Sequence, residues 1–61
     1  MDKSLIKVGD RIRYKVVFDE WVYGVVTAVT AGKWKEVCMK LEGFSMIHRV
    51  NLKDPRLEVV N

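Results

Sequence analysis

From Arg11 to Phe18 polar and apolar residues alternate, so Ile12, Tyr14, Val16 and Phe18 fall on one side of an extended chain and Arg11, Arg13, Lys15 and Val17 on the other. A period of two marks a strand with one buried face, because successive Cβ atoms point to opposite sides. The segment predicts a first strand with an apolar inner face and a basic outer face. Ahead of it, Leu5, Ile6 and Val8 lead into Gly9 and Asp10, a pair suited to a tight turn. Gly tolerates positive φ there, and Asp can bond its own backbone. Asp19 and Glu20 interrupt the apolar run and predict a loop or sharp bend.

Trp21 to Thr30, WVYGVVTAVT, is rich in β-branched and aromatic residues and predicts a second strand. Gly24 weakens its interior, so its expected use is a bulge or a strong bend where a side chain would clash. Ala31, Gly32 and Lys33 form the next turn. Trp34 to Glu42 is the third predicted strand, with Val37, Met39 and Leu41 inward and Glu36, Cys38, Lys40 and Glu42 outward. Gly43 and Phe44 turn the chain, and Ser45 to Asn51 makes a fourth strand. Leu52 to Pro55 cannot continue it, since Pro55 lacks an amide donor and restrains Asp54, and a single helical turn is expected there. Arg56 to Val60 is a short fifth strand with Leu57 and Val59 inward. The buried set expected from this alternation is Ile12, Val16, Val26, Met39, Leu41 and Leu57.

Sixty-one residues have room for one core, so a single domain over residues 1–61 is expected. At 49% hydrophobic and 31% charged, the composition is that of a folding chain. One cysteine, Cys38, makes no intramolecular disulfide, which favours a reducing, cytoplasmic setting. The opening residues MDKSLIKVGD have no apolar signal stretch, and no apolar run approaches the roughly 20 residues that span a bilayer. A membrane partner is therefore not expected. The net charge of +3 favours polyanions, although eight acids interleave with the eleven Lys and Arg.

Five short strands with tight turns and a one-turn break before the last form an all-β pattern. The segments IKVGDRIRY (Ile6 to Tyr14), YGVVTAV (Tyr23 to Val29), VCMKLEG (Val37 to Gly43) and VNLKDPRLEVV (Val50 to Val60) resemble the Tudor and KOW group of SH3-like barrels. The resemblance covers nearly the whole chain and implies a five-stranded SH3-like small barrel with a one-turn helical break before the last strand. It speaks to fold far more than to function. Separately, GDRIRYK (Gly9 to Lys15) and WVYGVV (Trp21 to Val26) are similar to the corresponding part of type II dihydrofolate reductase. The pore of that tetramer is lined by a late Val-Gln-Ile-Tyr stretch. Here the late strand reads Ser45-Met46-Ile47-His48-Arg49, without the Gln and Tyr, so the resemblance carries no reductase activity to this chain.

Catalytic groups are sparse. His48 is the sole histidine and Cys38 the sole thiol, and neither has a neighbour spaced to activate it, so no enzyme activity and no small-molecule substrate are expected. One Cys and one His do not complete a zinc site, and no cofactor is expected. His48 reads as a polar residue on a strand face, and Cys38 as either a surface thiol or a small packing residue.

The basic and aromatic positions point to a binding module. Arg11, Arg13 and Lys15 make a stripe of cations about 6 to 7 Å apart, a spacing able to follow a phosphate backbone. Such a stripe equally protects a strand edge from aggregation. Trp34, between Lys33 and Lys35, is either an indole for base stacking or a packing residue. Arg49, Lys53 and Arg56 add positive charge late in the chain. The expected nucleic-acid-binding residues are Arg11, Arg13, Lys15, Lys33, Trp34, Lys35 and Arg49. DNA or RNA is the expected partner, held through the backbone with little sequence preference. The alternative is an assembly subunit that docks on a protein or on itself through an open strand edge or an apolar patch such as Phe44, Met46 and Ile47. A third arrangement is a cage for a methylated Lys or Arg drawn from Tyr14, Phe18, Trp21, Tyr23 and Phe44.

Overall fold

Alternation is realised most fully in the central strands, where Val37, Met39 and Leu41 are completely buried and their intervening neighbours face out. The computed structural model describes residues 5–60, so residues 1–4 and 61 of the expected domain lie outside the described residues. Five strands form: β1 (Arg11–Val17), β2 (Glu20–Val29), β3 (Glu36–Leu41), β4 (Ile47–Asn51) and β5 (Leu57–Val59). They make one antiparallel sheet in the order β4-β3-β2-β1-β5, a four-strand meander with β5 returned to the far side of β1. Pairing stops at β4 on one side and β5 on the other, so the sheet is open rather than closed into a barrel.

Burying the apolar face stabilises this arrangement. Ile12, Tyr14, Val26, Val37, Met39, Leu41 and Leu57, with Ile6 at the margin, make the core, and Val16, Val22, Val29, Val50, Leu52 and Val59 pack around it. Of the six residues expected inside, five are at most 1% exposed and Val16 is half-buried.

Phe18 does not face inward as its spacing suggests: it is 88% exposed. The β1–β2 register shifts between Lys15 and Val17, making Val16 an extra residue. That bulge breaks the alternation, and the strand ends at Val17 with Phe18 and Asp19 forming the hairpin turn. Asp19 takes a φ of 62°, a left-handed conformation that its short polar side chain tolerates, and Glu20 already belongs to β2.

Gly24 lies in an unbulged stretch of β2, opposite Ile12 on one side and Leu41 on the other. Its reason is close approach: a Cβ at this position would stand 2.4 Å from the carbonyl oxygen of Lys40 and 3.0 Å from Leu41 Cα. The bulge lies further along, at Thr27, where the β2–β3 register skips from Val26 to Ala28. It reverses the alternation and turns Val29 toward the core beside Val37. Past β1, the carbonyl and amide of Val26 bond the amide of Gly9 and the carbonyl of Asp10 at 2.9 and 3.0 Å, so the N-terminal turn extends the sheet.

β3 and β4 begin later than their sequences suggest. Thr30 Oγ1 accepts the Glu36 N–H at 2.8 Å and the Thr30 N–H donates to the Glu36 carbonyl at 2.9 Å. This pair closes the β2–β3 loop and leaves Trp34 in it, outside any strand. Ser45 and Met46 are likewise loop residues, with Met46 exposed. The helical turn expected over Leu52 to Pro55 is replaced by two consecutive non-helical turns. Asn51 Oδ1 accepts the Lys53 N–H at 2.8 Å and Asp54 Oδ1 accepts the Arg56 N–H at 2.9 Å. Side-chain acceptors two residues back compete with helical bonding.

Asp54 also ties this corner to the core. Its Oδ2 accepts from the Arg56 guanidinium at 3.0 Å and from the Tyr14 hydroxyl at 3.3 Å. Hydrogen bonding to Arg56, above all, holds the Asp54 carboxyl below its usual range, against the opposing effect of burial. A depressed carboxylate contributes stability above its unfolded pKa, and that contribution is lost as pH falls through the folded value. Chemical denaturation should therefore show the protein losing stability below about pH 4, the ordinary aspartate range. Asp54→Asn, which keeps the Oδ1 acceptor, should be less stable at neutral pH and flatter across the acid range; parallel pH profiles would remove this role.

Candidate nucleic-acid interface

The seven expected contact residues separate into two places. Along β1, Arg11, Arg13 and Lys15 do share the outer face, opposite Val25, Tyr23 and Trp21 of β2. Arg13 is already engaged: its Nε and Nη2 donate to Glu58 Oε1 of β5 at 2.9 and 2.5 Å, and its guanidinium lies 4.2 Å from the Trp21 ring centre. Lys15 Nζ approaches the same ring at 5.0 Å. The Glu58 hydrogen bond raises the Arg13 pKa, so this side chain keeps its charge while a carboxylate beside it cancels much of its outward field. Arg49 projects from β4 opposite Cys38, with Glu36 at 3.9 Å.

The second place is a cavity of about 230 Å³ at the far end of β2. The β2–β3 loop contributes Lys33, Trp34 and Lys35, and the turn after β4 contributes Asn51, Leu52 and Lys53. A backbone bond from the Leu52 N–H to the Lys35 carbonyl, 3.0 Å, staples the two segments together. Trp34 is 73% exposed, which removes the packing role open to it in sequence. Lys33 Nζ lies 5.9 Å from its ring centre. Among the described residues no Asp or Glu lines the cavity, and Lys33, Lys35 and Lys53 line it together with the exposed indole. A void of this size suits one ring system rather than a drug-sized ligand.

Lys53 and Asn51 are absent from the set expected by sequence. Lys53 was visible only as one of several late cations, and Asn51 as the end of a strand; their position beside Trp34 follows from β3–β4 pairing, which sets Asn51 opposite Glu36.

The aromatic residues do not converge into one cage. Tyr14 is buried on the inner face, Trp21 and Tyr23 stand on the outer face, and Phe18 caps the hairpin. Phe44 meets His48 edge-on, with ring centres 5.1 Å apart. His48 sits opposite Met39 on the inner side of β4, half-buried, with Nδ1 enclosed and without a hydrogen-bond partner among the described residues. Cys38 is half-buried on the outer face between Ala28 and Arg49. Among the described residues no group of three His, Cys, Asp or Glu is placed to hold a metal ion, and no helix is long and apolar enough to cross a membrane. In comparisons with known proteins, no family model, no curated protein and no solved structure matches the chain.

Proposed function

We propose that the protein is a small non-enzymatic binding module that holds single-stranded nucleic acid at the Trp34 cavity. The observation that carries this reading is an indole 73% exposed in a cavity lined by Lys33, Lys35 and Lys53, with no Asp or Glu among the described lining residues. An unpaired base stacks on an exposed aromatic face whatever its identity, and flanking ammonium groups follow the phosphates. We read the open five-stranded sheet as related to the SH3-like small barrels of the Tudor and KOW kind; the return of β5 beside β1 supports that reading. In this reading Lys33, Lys35 and Lys53 are the principal phosphate contacts. Arg11, Lys15 and Arg49 extend the basic surface, and Arg13 serves mainly to join β5 to β1.

Binding of fluorescent oligonucleotides across a salt series tests this directly. Lys33→Gln, Lys35→Gln and Lys53→Gln should each weaken binding to all sequences alike and lower the salt slope by about one unit. Arg13→Gln should change the slope less. Trp34→Ala should cost about 1 to 3 kcal/mol on single strands and much less on duplex. Because Trp34 projects from a loop, this variant should keep the wild-type thermal midpoint. Absence of binding by the folded protein at low salt, where attraction is strongest, would overturn the reading.

An assembly subunit is the second reading, favoured by the exposure of Met46 (76%) and Ile47 (51%) next to the open edge of β4. Concentration-dependent association that Met46→Ser abolishes, without nucleic-acid binding, would select it.

A further inference from the structure

We infer that two copies of the chain join edge to edge along β4 in a symmetric antiparallel dimer whose axis passes at His48. The association involves no nucleic acid and goes beyond the binding reading. Its basis is the direction of the β4 main chain. The Leu52 N–H donates to the Lys35 carbonyl at 3.0 Å, and this pair continues the β3–β4 register in which Glu36 faces Asn51. Bonded and non-bonded pairs alternate along an antiparallel ladder. His48 and Val50 therefore turn their amides and carbonyls toward β3, and Ile47, Arg49 and Asn51 turn theirs to the open edge. The Asn51 carbonyl accepts the Asp54 N–H at 3.0 Å, as that direction requires. Among the described residues the outward main-chain groups of Ile47 and Arg49 make no bond. At the opposite edge the Leu57 N–H is already spent on the Asp54 carbonyl at 3.1 Å, so β5 offers fewer groups.

An exposed row of main-chain donors and acceptors is a template for another strand, and a two-fold axis makes such contacts reciprocal. With the axis at His48, Ile47 of each copy faces Arg49 of the other. Both are bonded pairs, so the outward amides and carbonyls of Ile47 and Arg49 are all satisfied. Axes nearer Asn51 set Arg49 against itself, a like-charge opposition, or draw on the engaged Asn51 carbonyl. An axis at Ile47 gives Arg49 only the loop residue Ser45 as partner. The favoured register also lays exposed Ile47 beside the aliphatic stem of Arg49 and brings exposed Met46 toward Val50 of the second copy. Asn51 stands three residues from the axis in each copy, so the two Trp34 cavities fall at opposite ends of the joined strands. Their Asn51 residues would be about 20 Å apart along the strand direction.

Sedimentation equilibrium and amide hydrogen exchange, both on the wild-type chain without nucleic acid, test the dimer apart from the nucleic-acid reading. The mass should rise with concentration toward that of two chains. Where about nine-tenths of the chain is dimeric, the Ile47 and Arg49 amides should exchange about tenfold more slowly than in dilute protein. Substitutions at exposed Ile47 then read the register. Ile47→Lys sets a cation opposite Arg49 of the second copy and should weaken association about tenfold, whereas Ile47→Glu sets an acid there and should leave it as tight or tighter. The mass of one chain at every concentration would overturn the inference. So would a dimer in which both amides exchange as fast as in dilute protein. Equal weakening by the two substitutions would overturn the axis at His48, because a purely apolar contact predicts that result.

Discussion

Gly24→Val should destabilise the protein by about 3 kcal/mol or more, the upper end of overpacking effects, and in a domain of 61 residues that is most of the expected stability. Valine has the higher strand propensity, so local preference alone predicts the opposite sign. The deciding fact is the 2.4 Å separation between an added Cβ and the Lys40 carbonyl oxygen, a backbone atom that cannot rotate away. Gly24→Ala carries the same Cβ and should lose most of what Gly24→Val loses. Thermal or urea unfolding of the two variants checks this, and a variant with an unchanged midpoint would show that β2 and β3 separate there without cost.

Leu41→Ala should cost roughly 2 to 5 kcal/mol, because the side chain is fully buried and its removal leaves a cavity in the core on the inner face of the sheet. Leu41 Cδ2 lies 2.9 Å from the position a Gly24 Cβ would take, so the two sites share one contact. In the double variant with Gly24→Ala the losses should sum to less than their separate values, since shortening Leu41 opens part of the space. The clash with the Lys40 carbonyl persists, so recovery is incomplete. Urea midpoints of the two single variants and the double variant measure that coupling. A loss below about half a kcal/mol for Leu41→Ala would place this residue at the surface, contrary to the burial found here.

The two sites also show how far a one-dimensional pattern reaches. Alternation at Val37, Met39 and Leu41 identified the core because β3 is a regular strand flanked on both sides, with side chains two apart on the same face. That a side chain at Gly24 would clash was legible, but as the effect of a bulge or bend there, whereas the clash comes from the neighbouring strand and the bulge stands at Thr27. A bulge is an extra residue relative to a partner strand, and no single strand's sequence records that comparison. The same limit explains Phe18, whose inward spacing is undone by the extra residue at Val16.

Local pattern was enough to establish that the chain is all-β, that five strands form, which apolar residues face inward along each regular stretch, and that Arg11, Arg13 and Lys15 share an outer face. These follow from period-two geometry and turn chemistry, which act between residues close in the chain. Which cations are neutralised and which are gathered depends instead on strand pairing and loop packing. Strand β5 brings Glu58 against Arg13, and β3–β4 pairing brings Asn51 and Lys53 beside Trp34. Coulombic and hydrogen-bonding partners act through distance in space, so residues far apart in the chain changed the weight of each basic position. Within the expected set the weight shifted accordingly from the β1 stripe to Lys33, Trp34 and Lys35, which Asn51 and Lys53 join around one cavity.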